Sequence, residues 1–370
     1  MTFVFLRGQL GFMKSRGMDV HVLSAPGPEV EEFRTREGVA AHTVPMERRI
    51  TPLGDFRALW RILGIFRRLK PDIVHASTPK GGLLGTIAAR LAGTPLVLYH
   101  VRGLAYDGES GIKRFLLQST ERVACALAHR VLCVSESVKI QLANDRVANA
   151  AKMSVLLNGS SNGVDAVGRF NPTLVGDQDR SELRTSLNIP ASAQVIGFVG
   201  RLVRDKGVDT LANAFEIVAA GNPNAHLLVV GGWEARDPVD QATRDRLLNH
   251  PRVRLTGSHA DPSKLYAVMD VFALPTLREG FPNVALEASA MQLPVVASRV
   301  TGCVDAVIDG VTGRLIEPRD PVQLADALSF YLDEPALREQ HGKSGRVRVL
   351  EKFQPEAIWQ ALYKSYGALP

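Results

Sequence analysis

The sequence predicts an α/β fold made of two doubly wound parallel-sheet domains that face each other across a cleft. Apolar runs of strand length alternate with helical patterns along almost all of the 370 residues. This alternation is typical of parallel sheets covered by helices on both faces. The runs form two similar sets separated by a polar stretch, and the length suffices for two hydrophobic cores. Ligands of such open sheets are expected at the carboxyl ends of the strands.

The first set of segments predicts a domain over residues 1–170. Its predicted strands cover residues 19–24, 72–76, 96–100 and 130–135. Its predicted helices cover residues 8–15, 55–69, 82–91 and 113–127.

The N-terminus departs from the usual order of such a domain. A doubly wound sheet usually begins with a central apolar strand and a Gly-rich turn, whereas residues 3–9 already look like that turn and the following helix. The first strand is therefore apparently missing. Either the true start lies upstream, or the sheet has a gap beside residues 19–24. Because a gap leaves backbone hydrogen-bonding groups unpaired, we favour a misassigned start.

The second set predicts a domain over residues 194–350, preceded by a polar linker at 171–193. Its predicted strands cover residues 195–200, 226–231, 253–255, 271–274 and 294–298. Residues 351–370 predict a last helix, at about 355–366, and leave open whether it packs back on the first domain.

Composition and charge restrict the class of protein. The apolar runs are far shorter than the roughly 20 residues that cross a bilayer, and no secretory signal is recognisable. The three cysteines have neither metal-ligand spacing nor the pattern of a disulfide framework, so we expect a cytoplasmic protein. A net charge of +6 suits nucleotide phosphates, a lipid pyrophosphate or an acidic membrane face. No nucleic-acid-binding motif is present, and nucleic acid is not an expected partner.

Two glutamates flank the predicted start of a helix after the strand at 271–274. Gly280 permits a tight turn and Pro282 suits a first helical position, so Glu279 is expected in the loop and Glu287 in the helix. The first amides of the helix, at Asn283 and Val284, would bind phosphate or sugar oxygens. Two carboxylates beside an anion-binding helix end indicate a sugar nucleotide as ligand.

A basic loop follows the first strand of the second domain. It begins at Gly200 and carries Arg201 and Lys206 before Gly207. Arg201 would reach a pyrophosphate as a fork and Lys206 as a point charge.

These motifs together resemble the retaining glycosyltransferases of family 4, which have the two-Rossmann GT-B architecture. The resemblance rests on Gly200-Arg201 with Lys206-Gly207, on Glu279 and Glu287, and on Gly302, Gly310 and Gly313. It extends over nearly the whole chain, and segments 71–75, 135–137 and 158–170 share it. The branch it indicates makes bacterial capsule, O-antigen and exopolysaccharide sugars.

The resemblance implies a role for each of these residues. Arg201 and Lys206, with Gly200, would hold the donor diphosphate, and Glu279 would lie beside the donor sugar. Glu287 would bind the ribose hydroxyls. Segment 281–284 (Phe281, Pro282, Asn283 and Val284) would contact sugar and phosphate oxygens, and the base would lie near residues 258–261, which include His259. The donor is expected to be a nucleoside-diphosphate sugar linked to UDP, with no cofactor and no metal.

The first domain departs from the family pattern at one position. Many members have a His-Gly after the corresponding strand, whereas this chain has Arg102-Gly103. Arginine cannot act as a base at pH 7, but it can bind a phosphate or an acidic acceptor. His100, two residues earlier, is more simply explained as a packed strand residue. We predict that Arg102, Lys80 in the loop after residues 72–76, and Gly8 lie on the acceptor side.

Two further features are interpreted as structural. Asp177 and Asp179 have a metal-binding spacing but lie in the predicted linker, where we expect a solvated charge cluster. The helix near residues 55–70 is amphipathic and rich in arginine. Its apolar residues, including Phe56 and Trp60, are expected to pack on the sheet, with the arginines exposed to water or to an anionic membrane.

The sequence thus predicts an enzyme that moves a hexosyl or N-acetylhexosaminyl group, with retention of configuration, onto a lipid-linked or saccharide acceptor. Polyprenyl pyrophosphate is the expected lipid carrier, and the inner face of the membrane is the expected place of action. A nucleotide-sugar epimerase of similar fold is one alternative. The other is a non-catalytic sugar-nucleotide-binding protein.

Overall fold

The computed structural model of the chain describes residues 6–47, 49 and 51–367. It divides into two compact units, one formed by residues 1–162 with 355–370 and the other by residues 163–354. The predicted missing strand concerns the first five residues, which lie outside the described part of the chain.

The first unit contains, within the described part of residues 1–162, the four predicted strands and the four predicted helices, together with two further strands and two further helices. Its helices are α1 (Gln9–Ser15), α2 (Glu29–Thr35), α3 (Pro52–Leu69), α4 (Pro79–Leu91), α5 (Gly111–Leu127) and α6 (Glu136–Asn144). Its strands are β1 (His21–Ser24), β2 (Ala40–Thr43), β3 (Ile73–Ser77), β4 (Leu96–Val101), β5 (Arg130–Cys133) and β6 (Met153–Val155).

The described strands of the first unit form two parallel sheets. β1 pairs with β2, and β3-β4-β5-β6 form a separate sheet of four strands. Among the described residues, β1 and β2 therefore do not pair with the four-stranded sheet. β4 is buried along its whole length, as its continuous apolar run predicts for an inner strand.

The second unit contains the following elements. Its helices are α7 (Asp177–Ser186), α8 (Val208–Gly221), α9 (Gln241–Asn249), α10 (Ser263–Tyr266), α11 (Asn283–Ala290), α12 (Cys303–Ala306), α13 (Pro321–Asp333) and α14 (Pro335–Lys352). Its strands are β7 (Gln194–Val199), β8 (Ala225–Val230), β9 (Val253–Leu255), β10 (Val271–Leu274), β11 (Val295–Ser298) and β12 (Gly313–Ile316).

The strands of the second unit form one parallel sheet, with strand order β12-β11-β10-β7-β8-β9. β7 is the first strand in sequence, and the chain adds β8 and β9 on one side of it and β10, β11 and β12 on the other. The order therefore reverses between β7 and β10. In open α/β sheets, the loops at the carboxyl ends of the two strands beside such a reversal form the ligand crevice. The core lies where α8 and α13 pack on this sheet.

The predicted domain limits differ from the units in the structure. Residues 163–193 belong to the second unit, and the stretch predicted as a linker contains α7. Arg184 of α7 donates hydrogen bonds to the carbonyls of Pro190, Ala193 and Val268, which attach this segment to the sheet domain. The sequence missed this because α7 is polar and lacks an apolar stripe.

The last helix, α15 (Pro355–Gly367), belongs to the first unit. Leu362 joins Leu96, Leu98 and Leu132 in one apolar cluster, so α15 covers the face of the four-stranded sheet that these strand residues present. Trp359 donates a hydrogen bond to Asn162, and Tyr366 is hydrogen-bonded to His75.

The amphipathic helix α3 is oriented differently from the prediction. Ala58, Ile62 and Leu63 are buried, whereas the side chains of Phe56 and Trp60 are 59% and 53% exposed. The expectation that Phe56 and Trp60 pack on the sheet was therefore wrong. The buried face instead consists of Ala58, Ile62 and Leu63, which cluster with Val44 and Leu84.

Candidate active site

The loops after β7 and β10 meet at the strand-order reversal of the second unit. The backbone N–H of Leu277 donates to the carbonyl of Asp205 at 2.8 Å, and the Thr276 hydroxyl donates to the same carbonyl at 3.1 Å. Arg278 forms an ion pair with the Asp205 carboxylate. Residues 200–207 and 275–282 were predicted as two separate motifs. These contacts hold the two segments against each other.

Gly207 makes this close approach sterically feasible. Its φ is +67°, and a Cβ at this position would lie 1.9 Å from the carbonyl oxygen of Pro275. An L side chain would meet both an unfavourable backbone conformation and fixed backbone atoms. The Lys206-Gly207 pair is therefore explained by packing as well as by chemistry.

Lys206 and Glu279 are in direct contact across these two loops. The Lys206 ammonium forms an ion pair with Oε1 of Glu279. Both side chains are largely shielded, with exposed fractions of 18% and 15%. The cation expected on the donor diphosphate and the carboxylate expected beside the donor sugar therefore share one small region of the second unit.

Arg201 lies in the same loop as Lys206, after β7. Its Nη1 is 3.0 Å from Oε2 of Glu234, which belongs to the loop after β8. The two loops can approach closely because Gly231 has no side chain. A Cβ at this position would lie 1.7 Å from the carbonyl oxygen of Gly200. About a third of each charged side chain remains exposed, so an anionic ligand can compete with Glu234 for Arg201.

Glu287 is placed on α11, after the loop that carries Glu279. Its Oε2 accepts a hydrogen bond of 2.8 Å from the hydroxyl of Tyr266, which is fully buried. Burial raises the pKa of Glu287, and the Tyr266 hydrogen bond and the charge of Arg169 partly oppose this rise. The carboxylate is thus oriented by a fixed donor and keeps Oε1 for further hydrogen bonds.

Arg169 and Asp261 lie beside this carboxylate. Their ion pair, Nε to Oδ1, measures 2.9 Å, and the charges of both act on Glu287. Asp261 comes from the loop between β9 and α10, which also carries His259, an exposed residue. The segment at 258–261, expected near the base, and the carboxylate expected on the ribose are therefore joined through Arg169 and Asp261.

The start of α11 follows the expected turn, with one correction. Pro282 is the N-cap, and Asn283 is the first helical residue. Pro282, expected at the first helical position, therefore lies one residue before it, and because it has no N–H it shapes the turn rather than donating to a ligand. The Phe281 ring packs on Phe353, with ring centroids 5.5 Å apart, which leaves its backbone rather than its side chain as a possible contact for ligand.

A third loop, after β11, completes this edge of the sheet. Gly302 has a φ of +80°, and a Cβ there would lie 2.4 Å from the carbonyl oxygen of Gly280. The Gly280 turn and residue 302 are therefore in contact. Gly302 belongs to the motif set read from the sequence, and the structure gives it a steric reason.

The predicted acceptor-side residues lie in the first unit and already have structural contacts. The N–H of Gly8 donates to Oε1 of Glu37 at 2.7 Å, and the Trp359 ring lies against its Cα. Lys80 is 2.6 Å from Oδ1 of Asp55 and also donates to the carbonyl of Arg49, which links the first turns of α3 and α4.

Arg102 follows β4 and lies in a shielded cluster of rings. Burial lowers the pKa of Arg102 to about 10, still well above neutral pH, so the guanidinium stays charged. Burial and the Arg102 charge lower the pKa of His75 to about 3. The His100 ring is buried and lies tilted beside His75, with centroids 5.4 Å apart, which agrees with its interpretation as a packed residue.

Sequence reasoning missed Tyr266 and Glu234, and it included Asp261 only as the end of the segment expected near the base. Each is distant in sequence from the residue that it contacts, and none stands in a motif that the sequence alone makes conspicuous. Arg169 had been noted only as part of the resemblance.

Metal-binding clusters and membrane-spanning helices are absent from the described ranges. No group of three or more His, Cys, Asp and Glu side chains is placed to hold a metal ion there. The Asp179 carboxylate instead accepts from the N–H of Gly176 at the start of α7. No helix in residues 6–367, with the two undescribed positions set aside, is long and apolar enough to cross a bilayer.

Comparison with known proteins identifies the family. The chain is 37% identical to the capsular polysaccharide biosynthesis glycosyltransferase CapM of Staphylococcus aureus, over 98% of this chain and 93% of CapM. It belongs to the family 4 glycosyltransferases. Residues 6–159 of this glycosyltransferase match the family model described as glycosyl transferase 4-like domain, and residues 193–334 match that of glycosyl transferases group 1.

Further relatives agree with this family. The glycosyltransferase is 29% identical to an Escherichia coli enzyme named UDP-Gal:alpha-D-GlcNAc-diphosphoundecaprenol alpha-1,3-galactosyltransferase, over 86% of this chain and 81% of that enzyme. Among solved structures, Anabaena Alr3699/HepE in complex with UDP-glucose superposes with a TM-score of 0.81 at 22% identity, over 99% and 95% of the two chains. Sucrose-phosphate synthase from Thermosynechococcus elongatus superposes with a TM-score of 0.82 at 24% identity, over 100% and 93% of the chains. These structures confirm the predicted GT-B fold.

Proposed function

We propose that this glycosyltransferase moves a hexosyl or N-acetylhexosaminyl group from a UDP-linked sugar to a lipid-linked or saccharide acceptor, with retention of anomeric configuration. The reaction serves the synthesis of a bacterial surface polysaccharide. The names of the CapM and galactosyltransferase relatives support the polysaccharide and the diphosphate-lipid acceptor.

The contact between Lys206 and Glu279 at the strand-order reversal carries the proposal. It combines a cation and a carboxylate in the part of a parallel sheet where ligands bind, within reach of the amides that begin α11. A sugar diphosphate needs both, since its hydroxyls suit a carboxylate and its phosphates suit a cation.

Each donor group has a candidate partner in the second unit. Lys206 and Arg201 bind the diphosphate, displacing Glu234 from Arg201, with backbone support from Gly200 and the start of α11. The free Oε1 of Glu287 accepts from the ribose, and the loop with His259 borders the base. Glu279 orients the sugar through its hydroxyls.

The protein contributes positioning and charge rather than a covalent nucleophile. The acceptor hydroxyl oxygen forms a bond to the anomeric carbon on the same face from which the bond to the β-phosphate oxygen breaks. The departing phosphate oxygen takes the acceptor proton, and the nucleoside diphosphate leaves. Lys206 and Arg201 stabilise the negative charge that grows on the diphosphate.

The acceptor is proposed to engage the first unit. Lys80 and Arg102 carry positive charge near the carboxyl ends of β3 and β4, which suits a pyrophosphate, and Gly8 shapes the turn before α1. Since a polyprenyl carrier lies in the membrane, we place the reaction at its cytoplasmic face. The charges of Lys206 and Arg201 do the work that a divalent metal does in other enzymes, so chelator should leave the rate unchanged.

The proposal is tested by incubating the enzyme with labelled UDP-sugars and a membrane extract, and by calorimetry with UDP. Lys206→Met should weaken UDP binding about 10- to 100-fold, as expected for a lost charge-assisted hydrogen bond, and abolish transfer. Lys343→Met, at an exposed position of α14, removes the same charge away from these loops and should change neither.

The product distinguishes the alternatives. Transfer that requires acceptor and gives the donor's anomeric configuration by NMR supports the proposal. Conversion of the nucleotide sugar without any acceptor would indicate an epimerase. UDP binding with no turnover of any common donor would indicate a binding protein.

A further inference from the structure

α3 presents an apolar stripe whose side chains are more than half exposed. Leu53, Phe56 and Trp60 follow one another at helical spacing, with exposed fractions of 78%, 59% and 53%. The buried face of the same helix, around Ile62 and Leu63, is separate from it. Large exposed apolar side chains in one stripe usually mark an interaction surface.

α5 presents a second stripe of the same kind. Ile112, Phe115 and Leu116 have exposed fractions of 88%, 67% and 44%. Like those of α3, these residues lie in the first turns of their helix.

The two stripes belong to one layer of helices. α4 and α5 each connect neighbouring parallel strands of the four-stranded sheet, and right-handed crossovers place them on the same face. α3 packs on α4 through Leu63, Leu84 and Ala88, and the Lys80–Asp55 ion pair joins their first turns. The stripes therefore lie on the two helices that flank α4.

The charge beside the α3 stripe identifies its partner. The exposed charged residues of this helix are all arginines: Arg57, Arg61, Arg67 and Arg68. Its one acidic residue, Asp55, is largely shielded by Lys80. On α5, the exposed Lys113 is paired with Glu109, so the positive charge is concentrated on α3.

We propose that the exposed faces of α3 and α5 dock this glycosyltransferase on an anionic phospholipid bilayer. The aromatic and aliphatic side chains enter the interface between headgroups and acyl chains, and the arginines contact lipid phosphates. A second copy of the chain fits less well, because a symmetric contact would bring the arginines of α3 against each other. The proposal concerns the first unit alone and does not depend on the donor site.

Vesicle co-sedimentation of the full chain tests this surface. Wild type should bind mixed phosphatidylglycerol–phosphatidylcholine vesicles, bind pure phosphatidylcholine vesicles at least about tenfold more weakly, and lose binding as salt is raised. Arg57→Gln with Arg61→Gln should weaken binding to the anionic vesicles about fivefold for each charge removed. Phe56→Ser with Trp60→Ser should weaken it at least about tenfold.

A matched pair controls for loss of exposed apolar area. Ile217 and Leu248 lie in the second unit with exposed fractions of 46% and 52%, and Ile217→Ser with Leu248→Ser should bind vesicles like wild type. Each variant should retain the wild-type melting temperature, which excludes unfolding as the cause. The affinity for UDP should also be unchanged in each variant. A loss of vesicle binding can therefore be distinguished from a defect in the donor site.

Three outcomes would overturn the proposal. One is equal binding to neutral and anionic vesicles. Another is wild-type binding by the Phe56–Trp60 variant. The last is a dimer in solution that this variant converts to monomer while no form binds vesicles, which would assign the surface to a second copy.

Discussion

The hydroxyl of Tyr266 donates a 2.8 Å hydrogen bond to Oε2 of Glu287, from a ring that is fully buried against Phe170 and Phe272. This bond fixes the direction of a carboxylate whose pKa burial already raises. Tyr266→Phe should therefore weaken UDP binding about tenfold, the effect of one lost hydrogen bond to a charged group. Calorimetry with UDP at several pH values measures it.

The pH dependence separates positioning from simple destabilisation. Without the Tyr266 donor, the pKa of Glu287 should rise further, so UDP affinity should begin to fall at a higher pH when the solution is acidified. Tyr331→Phe is the matched control, since Tyr331 is also buried and hydrogen-bonded, to His341 at 2.8 Å. It should lower the melting temperature without this change in UDP binding, and an identical pH profile in both variants would contradict the role given to Tyr266.

Glu234 competes with the diphosphate for Arg201. Their ion pair measures 3.0 Å and is about one third exposed, so breaking it costs little. Glu234→Gln should tighten UDP binding a few-fold, because the ligand no longer has to displace a carboxylate. Glu216→Gln, an exposed site on α8, makes the same change in net charge and should have a smaller effect. Weaker binding by the Glu234 variant would show that Glu234 supports the site instead.

Gly207 should not tolerate alanine. Because φ is +67° and the new Cβ would lie 1.9 Å from the Pro275 carbonyl oxygen, Gly207→Ala must separate the loops after β7 and β10. We expect a loss of about 2 kcal/mol or more in the free energy of unfolding, together with loss of UDP binding. Gly221→Ala at the other end of α8 meets open space and should preserve both, as urea unfolding and calorimetry can check. An unaffected Gly207 variant would contradict the described packing.

Glu121 makes the stability of the first unit depend on pH. It accepts a 2.8 Å hydrogen bond from Tyr99, and burial raises its pKa from 4.5 to about 7. The unfolded chain loses this proton at lower pH than the native state, so the free energy of unfolding should fall by about 3 kcal/mol as the pH rises between these values. The difference in free energy of unfolding between Glu121→Gln and wild type should therefore be more favourable to the variant at about pH 8 than at about pH 4.

Urea unfolding at both pH values measures this difference. Glu351→Gln, at an exposed position of α14, should leave stability nearly unchanged. A Glu121 variant that follows wild type at both pH values would contradict a buried, raised-pKa carboxyl at this position.

The fold was largely predictable because parallel strands are buried on both faces. Val271–Leu274 coincides with the predicted strand, since it is a short, fully buried apolar run between polar loops. β2, β6 and β12 were missed, because Ala40–Thr43, Met153–Val155 and Gly313–Ile316 mix polar residues with apolar ones at the sheet margins.

The predicted donor residues came partly together for a topological reason. Lys206 and Glu279 are 73 positions apart, and the strand order at β7 and β10 brings their loops into contact. Local spacing could suggest each loop but not the partners Glu234 and Tyr266, which depend on how neighbouring loops fold. Trp60 illustrates a second limit of sequence-based prediction. The helical spacing of the apolar residues was recognised, but spacing alone does not show whether an apolar stripe packs on a sheet or is exposed to solvent.

The placement of α15 in the first unit has a consequence for biosynthesis. On the ribosome, residues 1–162 emerge well before the helix that covers Leu96, Leu98 and Leu132. The nascent first unit must therefore wait, with part of its apolar sheet face uncovered, while all of residues 163–354 are translated. Chaperone contact is expected to be greatest during that interval, because uncovered apolar surface promotes aggregation.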